Sequence, residues 1–331
     1  MSEDLKPHLA CDLDEDKVKF PVIAQVKIDG VRGINLKGDI TGRSLKAFKN
    51  SFVAECFSHP EFVGVDGELV LGEWNRPGLC RETTGFVNRK TAKLGKPTRS
   101  PDFKWYVFDF LRADVVHLPY IQRLEALQQA SAMWFAADEV SNVFVVPWKL
   151  VHNLEELHAF EEECLDAGFE GVIVRDPNGL HKSGRATTKL GAYLRIKRFV
   201  DFEGKVVGIT EAMENTNEAK TNELGRTERS THQENMIPKG MVGTIHLIVL
   251  KDVVYRGEVV VKAGEVVVVG PGAMPHAQRI AVWLAYKAGD MTSEDWIMGE
   301  IGKAKFMPHG QKDKLRMPTW LCLRAEEDMS D

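Results

Sequence analysis

A chain of 331 residues with 44% hydrophobic content can build one large core or two of ordinary size, and no apolar run in it is long enough to cross a bilayer. The formal net charge of −5 argues against a uniformly basic nucleic-acid binder, and five cysteines at 11, 56, 80, 164 and 322, with no Cys-x-x-Cys, argue against a zinc ribbon or a disulfide framework. The opening Met-Ser-Glu-Asp-Leu-Lys lacks the basic-then-apolar order of a secretory signal, so a cytoplasmic protein is expected.

Residues 18–36 alternate short apolar strands with a loop at Lys27-Ile28-Asp29-Gly30-Val31-Arg32. Lys27, just beyond an apolar run and followed by an acid, a glycine and an arginine, is read as a covalent nucleophile. Gly42-Arg43-Ser44 then sits in a turn-like context. The stretch 62–71 reads as a buried strand in which Asp66 and Glu68, two apart, project on one face. Burying a carboxylate alone costs several kcal/mol, roughly, so unless this is an edge strand facing water the two acids need a ligand, a metal or a cation.

Residues 72–100 have no sustained period and are read as a surface segment carrying Arg89 and Lys90, part of a basic strip over 89–99. A strand is expected over 103–111, with Tyr106, Phe108 and Phe110 on one face and Trp105, Val107 and Asp109 on the other. Such an aromatic row is core material, yet one ring of it suits stacking on a purine. A helix follows over 120–136, then a strand over 143–148. The next helix begins at Asn153 with Glu156 as capping-box partner and stops at Gly168. It leads into the strand 169–176, whose first acid, Glu170, is placed to hold a divalent ion. The strand 192–199 puts Arg195 and Lys197 on one face, where a phosphate is the natural occupant; these residues belong to a second basic strip over 182–198.

Composition shifts after Phe199. Short strands over 203–211, 241–250, 253–261, 265–269 and 319–323 suit a small all-β barrel, interrupted by helical stretches at 275–288 and 292–301. Between the first two strands the polar segment 212–240 reads as a long loop, and its Lys220, Arg226, Arg229 and Lys239 make it a candidate DNA contact. Val269-Gly270-Pro271-Gly272 lacks the third glycine of a dinucleotide fingerprint and is set aside.

The ordered series Lys27-x-Asp29-Gly30-x-Arg32, Asp66-Gly67-Glu68, Tyr106-Val107-Phe108-Asp109, Glu170-Gly171-Val172-Ile173-Val174 and Arg195-Ile196-Lys197 resembles the motif series of the covalent nucleotidyltransferases. It is most similar to that of the ATP-dependent DNA ligases of small bacteriophage type. The resemblance implies an α+β fold, with an adenylation domain of antiparallel sheets and flanking helices over 1–200 and an OB-fold β-barrel DNA-binding domain over 201–331. It also implies a monomer that uses ATP and Mg2+, or Mn2+, on nicked duplex DNA without a membrane, serving replication, repair and recombination in a bacterial or phage-infected cell.

In such an enzyme the lysine takes AMP from ATP, AMP passes to the 5′-phosphate of a nick, and the 3′-hydroxyl displaces it. Carried onto this chain, the resemblance makes Lys27 the nucleophile, with Arg195 and Lys197 at the phosphates. It assigns Gln25, Val26, Arg32, Glu68, Phe108, Val172 and Arg316 to the nucleotide, with Glu68 on the ribose and Phe108 on adenine. Glu170 and Asp66 fall to the metal, and Arg32, Arg43, Arg89, Lys90, Arg226 and Arg229 to DNA. The residue chemistry agrees: a free lysine, with a pKa near roughly 10.4, must lose a proton before it attacks, and clustered cations oppose that proton.

Two departures stand out. Arg195 occupies a place where lysine is usual, and Ala325-Glu326-Glu327-Asp328 replaces the common terminal Asp-Lys, which bears on Arg316 and Arg324. An RNA ligase or an mRNA-capping-type nucleotidyltransferase shares the lysine chemistry, and a non-catalytic OB-fold nucleic-acid-binding protein is the alternative from another class. Arg32 favours the DNA-ligase branch, and NAD-dependent ligases fit less well because they need an added amino-terminal domain.

Overall fold

A computed structural model describes residues 5–76, 78–136, 142–221, 227–230, 233–310 and 314–324. The chain divides into two compact units, Met1–Arg198 and Phe199–Asp331.

The first unit holds two five-stranded sheets. One runs Cys11–Asp12, Tyr193–Lys197, Gly171–Arg175, Val22–Lys27, Trp148–Val151, and the other Ile40–Thr41, Val31–Asn35, Val65–Leu71, Phe103–Phe110, Val143–Val145. They are not wholly antiparallel as expected: each carries one parallel pair at an edge, made by Cys11–Asp12 in the first and Val143–Val145 in the second. Helices Ser51–Phe57, Leu79–Val87, Tyr120–Ala136 and Leu154–Asp166 flank them. The last of these has the expected start, with the Asn153 side chain accepting from the Glu156 backbone N–H; the Glu156 carboxylate answers one residue earlier, on His152 N–H.

The helix Leu79–Val87 lies in the stretch 72–100, which has no sustained period and was expected to be a surface segment. Its Leu79, Thr83, Phe86 and Val87 are buried, and only that i, i+4, i+7, i+8 row, diluted by Thr84 and Gly85, records it in the sequence. The aromatic strand also departs from simple alternation. A bulge sets Asp66 opposite Asp109 but Gly67 opposite Val107, so Phe108 drops out of the ladder. Phe110 consequently packs with Trp105 and Val107 in one core cluster, while Phe108 sits with Tyr106 in another.

In the second unit the sheet order is Val266–Val269, Met236–Val249, Val200–Asn215, Ile301–Met307, Arg316–Leu323, with every neighbouring pair antiparallel. Its two edge strands meet at a single parallel bridge, Gly270 to Thr319. The expected OB barrel is therefore a curled sheet whose seam is joined at one point, without a continuous closing ladder. Phe202, Val242, Ile245, Leu247, Phe306 and Trp320 form its core, and the helix His276–Ala288 packs there through Val282.

Three expectations fail here. The strand over 253–261 is a hairpin, Val253–Tyr255 paired antiparallel with Glu258–Val261 in a sheet of its own. The helix over 292–301 is absent: Asp290 accepts from the backbone N–H and hydroxyl of Thr292, Ser293 Oγ accepts from Asp295 N–H, and the chain then enters a strand at Ile301. Such local bonds compete with helix formation. The segment 212–240 is not a plain loop either. The two long strands continue into it, pairing as far as Asn215 with Met236, and a short hairpin of Ala219–Thr221 with Thr227–Arg229 follows. Around Met213 and Glu214 and at 236–240 the strands are largely solvent-exposed, so the apolar alternation that marks a half-buried strand is missing.

Candidate active site

Strand register assembles the site from both sheets of the first unit. In the first sheet Lys27 lies opposite Gly171 and Gly171 opposite Lys197, while Gln25 lies opposite Ile173 and Ile173 opposite Arg195. Residues paired in this way share a face, so Gln25, Lys27, Ile173, Arg195 and Lys197 form one polar and apolar row pointing one way. Gly171 must be glycine, since a Cβ there would stand 2.2 Å from the carbonyl oxygen of Ile196. In the second sheet Arg32 lies opposite Glu68, and Gly30 is equally constrained, with a Cβ falling 2.4 Å from Leu69 O.

Lys27, Gln25, Val26, Arg32, Arg43, Glu68, Phe108, Ile173 and Arg195 line one cavity of about 440 Å³, which Tyr193 and Arg185 also border. That volume suits a small-molecule site, for which roughly 300–1,000 Å³ is usual. Lys27 Nζ is paired with Glu170 Oε2, and the Glu170 backbone N–H donates to Lys27 O at 3.2 Å. Arg32 forks onto Asp66, Nε to Oδ1 and Nη2 to Oδ2, both at 2.5 Å, and its guanidinium carbon lies 4.7 Å from the Phe108 ring centroid. Arg195 Nε donates to Asp12 Oδ1 at 2.7 Å.

The electrostatics separate the acids. Burial pushes the Glu68 carboxyl up to about 8, against the pull of Arg32 and Lys27. Asp66 is also raised by burial, which the contact with Arg32 offsets only in part. Burial opposes the Arg32 charge, but Asp66 more than restores it and holds the guanidinium protonated. Lys197 is lowered, first by burial and then by Arg195.

The expected residues do not all converge. Val172 belongs to the opposite face of its strand and is buried with Ala24, Val174 and Ile196, so the cavity takes Ile173 in its place. Asp66, expected at a metal, is committed to Arg32. Among the described residues no group of three His, Cys, Asp or Glu side chains gathers as a metal cage. Arg89 borders a separate groove with Arg76, Arg81 and Lys96, and Lys90 is exposed beside it. Arg229 is exposed in the second unit, where Arg316 also lies, and Arg226 falls outside the described residues. Arg185, exposed at the cavity, was part of a basic strip in the sequence, but nothing there distinguished it from its neighbours.

Comparisons with known proteins bear on the whole arrangement. A family model described as the ATP dependent DNA ligase domain matches residues 13–191. The DNA ligases of Enterobacteria phages T4 and T6 are 25% and 26% identical over 253 residues, covering 61% of this chain and 50% of each relative. The chain thus spans about half the length of these curated relatives. Among solved structures, a Chlorella virus DNA ligase-adenylate is 26% identical with a TM-score of 0.51, covering 98% of this chain and 100% of that one. A Lig E DNA ligase, 18% identical, has a TM-score of 0.60 over 97% and 100% of the two chains, a likeness of fold. The α+β architecture is accordingly a nucleotidyltransferase fold followed by an OB fold, and with more than half of its length matched the chain belongs to the ATP-dependent DNA ligase domain family.

Proposed function

We propose that this chain is an ATP-dependent DNA ligase that seals 5′-phosphate/3′-hydroxyl nicks in duplex DNA through a lysyl-AMP and a DNA-adenylate. The observation that carries this reading is the convergence of Lys27, Arg32, Glu68, Phe108 and Arg195, from five strands, around one cavity. As an amine, Lys27 attacks the α-phosphorus; the N–P bond forms, the bond to the bridging oxygen breaks, and pyrophosphate leaves. Glu170 contacts Nζ and so stands beside the reacting amine. Arg195 and Lys197 face the phosphates across the register described above, where they offset the charge that develops.

In the same cavity Phe108 supplies a flat face for adenine, with Arg32 on its other contact. Glu68, half-buried and reluctant to ionise beside the cavity, is matched to a ribose hydroxyl, to which it offers a hydrogen bond in either protonation state. A Mg2+ or Mn2+ ion, which usually binds through one or two protein carboxylates plus substrate phosphates, would find Glu170, and it would polarise the phosphoryl oxygens. Asp66, held by Arg32, serves instead to fix that arginine.

Arg43 and Arg185, both exposed where the cavity opens, are assigned to the nick phosphates. The region 1–200 acts as the adenylation domain and 201–331 as the DNA-binding domain, with the ribbon and hairpin around Arg229 meeting the duplex. Replacing 216–235 by a short turn is expected to weaken nicked-duplex binding and leave self-adenylation intact.

The decisive experiment incubates the protein with α-labelled ATP and magnesium and then denatures it. Label retained by the wild type and absent from Lys27→Ala supports the reading, and sealing of a singly nicked duplex extends it to ligation. No transfer from any nucleotide would overturn it.

A further inference from the structure

Tyr120 opens the helix Tyr120–Ala136 and is completely buried, outside every motif that drew attention in the sequence. Its hydroxyl lies 2.7 Å from Gln25 Oε1 and 2.8 Å from the carbonyl oxygen of Phe108. Both partners belong to residues that line the cavity. The Gln25 amide is fixed in sense at its far end, where Nε2 donates to Val146 O at 3.3 Å, so it is the oxygen that meets the tyrosine. The Phe108 carbonyl belongs to the residue that the bulge removes from the ladder, and the hydroxyl takes over from a strand partner. One hydroxyl proton therefore serves two acceptors, and both are held within its reach.

The ring that carries this hydroxyl is itself immobilised. The Arg175 guanidinium carbon lies 3.7 Å from the Tyr120 ring centroid and 4.2 Å from that of Tyr193. Arg175 donates to Asp109 Oδ2 at 2.7 Å, and Asp109 is gripped from the other side by Arg123. Moving Tyr120 would disturb buried charges, so its hydroxyl is a fixed point between the strand that leads to Lys27 and the bulge that presents Phe108.

We propose that Tyr120 is a positioning residue for the nucleotide: through its hydroxyl it sets the Gln25 amide and the Phe108 ring at the base end of the cavity. This rests on the reading of the cavity as an ATP site. Tyr120 does not line that cavity, so its effect passes through Gln25 and Phe108 and belongs to binding more than to phosphoryl transfer.

The test measures KM for ATP and the saturating rate of self-adenylation for the wild type, Tyr120→Phe, Gln25→Met and the double variant. Sealing of a nick that already carries AMP, which needs no ATP, is measured beside them. Tyr120→Phe keeps the ring and its stack on Arg175 and is expected to raise KM about fivefold, the worth of roughly one net hydrogen bond. The saturating rate of self-adenylation should stay close to wild type, and so should the sealing of pre-adenylated nicks at saturating DNA, where binding of their AMP in the cavity no longer limits the rate. In the Gln25→Met background Tyr120→Phe should raise KM by well under its effect alone, because the two act through one contact. An unchanged KM in Tyr120→Phe, or an equal fall in every activity together with the melting temperature, would overturn the assignment. A wild type that self-adenylates normally beside an indifferent Tyr120→Phe sinks the role of Tyr120 alone; a wild type that takes label from no nucleotide sinks the ATP reading and this one with it.

Discussion

Glu68 and Asp109 sit on neighbouring strands of one sheet, and the fold treats them in opposite ways. Asp109 is sealed in, takes both nitrogens of a fork from Arg123 and a third bond from Arg175, and receives the N–H of Phe110. Burial alone would raise its carboxyl, but the two guanidiniums overcome that and hold it well below the usual range. Glu68 faces the cavity, the cation opposite it, Arg32, is taken by Asp66, and burial lifts its carboxyl to about 8. The lesson is that a compensated buried charge is architecture, whereas one left short of compensation beside a cavity is an opening for a ligand.

The largest effect expected is on the architectural side. Asp109→Asn would leave Arg123 and Arg175 facing each other without their anion, and its cost should be about 3–5 kcal/mol of unfolding free energy. Urea unfolding followed by tryptophan fluorescence measures it. A cost near zero would mean that the stack on Tyr120 and Tyr193 carries Arg175 without the carboxylate, and the contrast with Glu68 would lose its basis.

Glu68→Gln should behave in the reverse manner. The substitution keeps the shape and removes a carboxyl that burial disfavours, so the melting temperature should hold or rise while KM for ATP increases about tenfold, the loss of roughly 1.4 kcal/mol of binding. Comparable losses of stability in Glu68→Gln and Asp109→Asn would erase the distinction between the two acids.

Titration sharpens the same contrast through its sign. Glu68 has a folded pKa above its unfolded value of 4.5, so its contribution to stability is present below about 4.5 and is lost as pH rises toward about 8. Asp109 has a folded pKa below its unfolded 3.8, so its contribution is present above that value and is lost as pH falls through the folded pKa. Stability of the wild type minus that of Glu68→Gln should therefore decline between pH 5 and pH 8. A flat difference would show that its carboxyl is already compensated.

The sequence made one member of this comparison visible and hid the other. Asp66 and Glu68 stand out because two acids interrupt an apolar run, and the anomaly is local. Asp109 also lies in an apolar strand, but its partners are 14 and 66 residues away, and nothing near Arg123 or Arg175 marks them as buried. The two well-capped or strongly periodic helices, Tyr120–Ala136 and Leu154–Asp166, were legible for the same local reason. The bulge at Phe108, the short helix Leu79–Val87 and the polar ribbon of the second unit were not. Each depends on pairing or burial that a linear pattern does not record. The apolar run likewise pointed to a strand over 169–176, found as Gly171–Arg175, but not to which of Val172 and Ile173 faces the cavity, a choice that register against Gln25 decides.

The smallest effect belongs to a third kind of charge, at the rim. Arg195 reaches Asp12 at 2.7 Å, but the aspartate side chain is 70% exposed, in contrast with the 1% of Asp66. An exposed pair of this kind contributes on the order of 0.2–1 kcal/mol, so Asp12 orients Arg195 without committing it. The guanidinium then stays available to a phosphate, as a cation sealed against Asp109 could not. Arg195→Lys keeps the charge and gives up the planar fork; if the phosphate needs the charge alone, as the lysine usual at this position implies, self-adenylation should remain within about threefold, roughly 0.7 kcal/mol. A loss of a hundredfold, measured as the single-turnover rate of AMP transfer to Lys27, would mean that the fork itself is required, and that the Asp12–Arg195 contact belongs with the committed pairs of the interior.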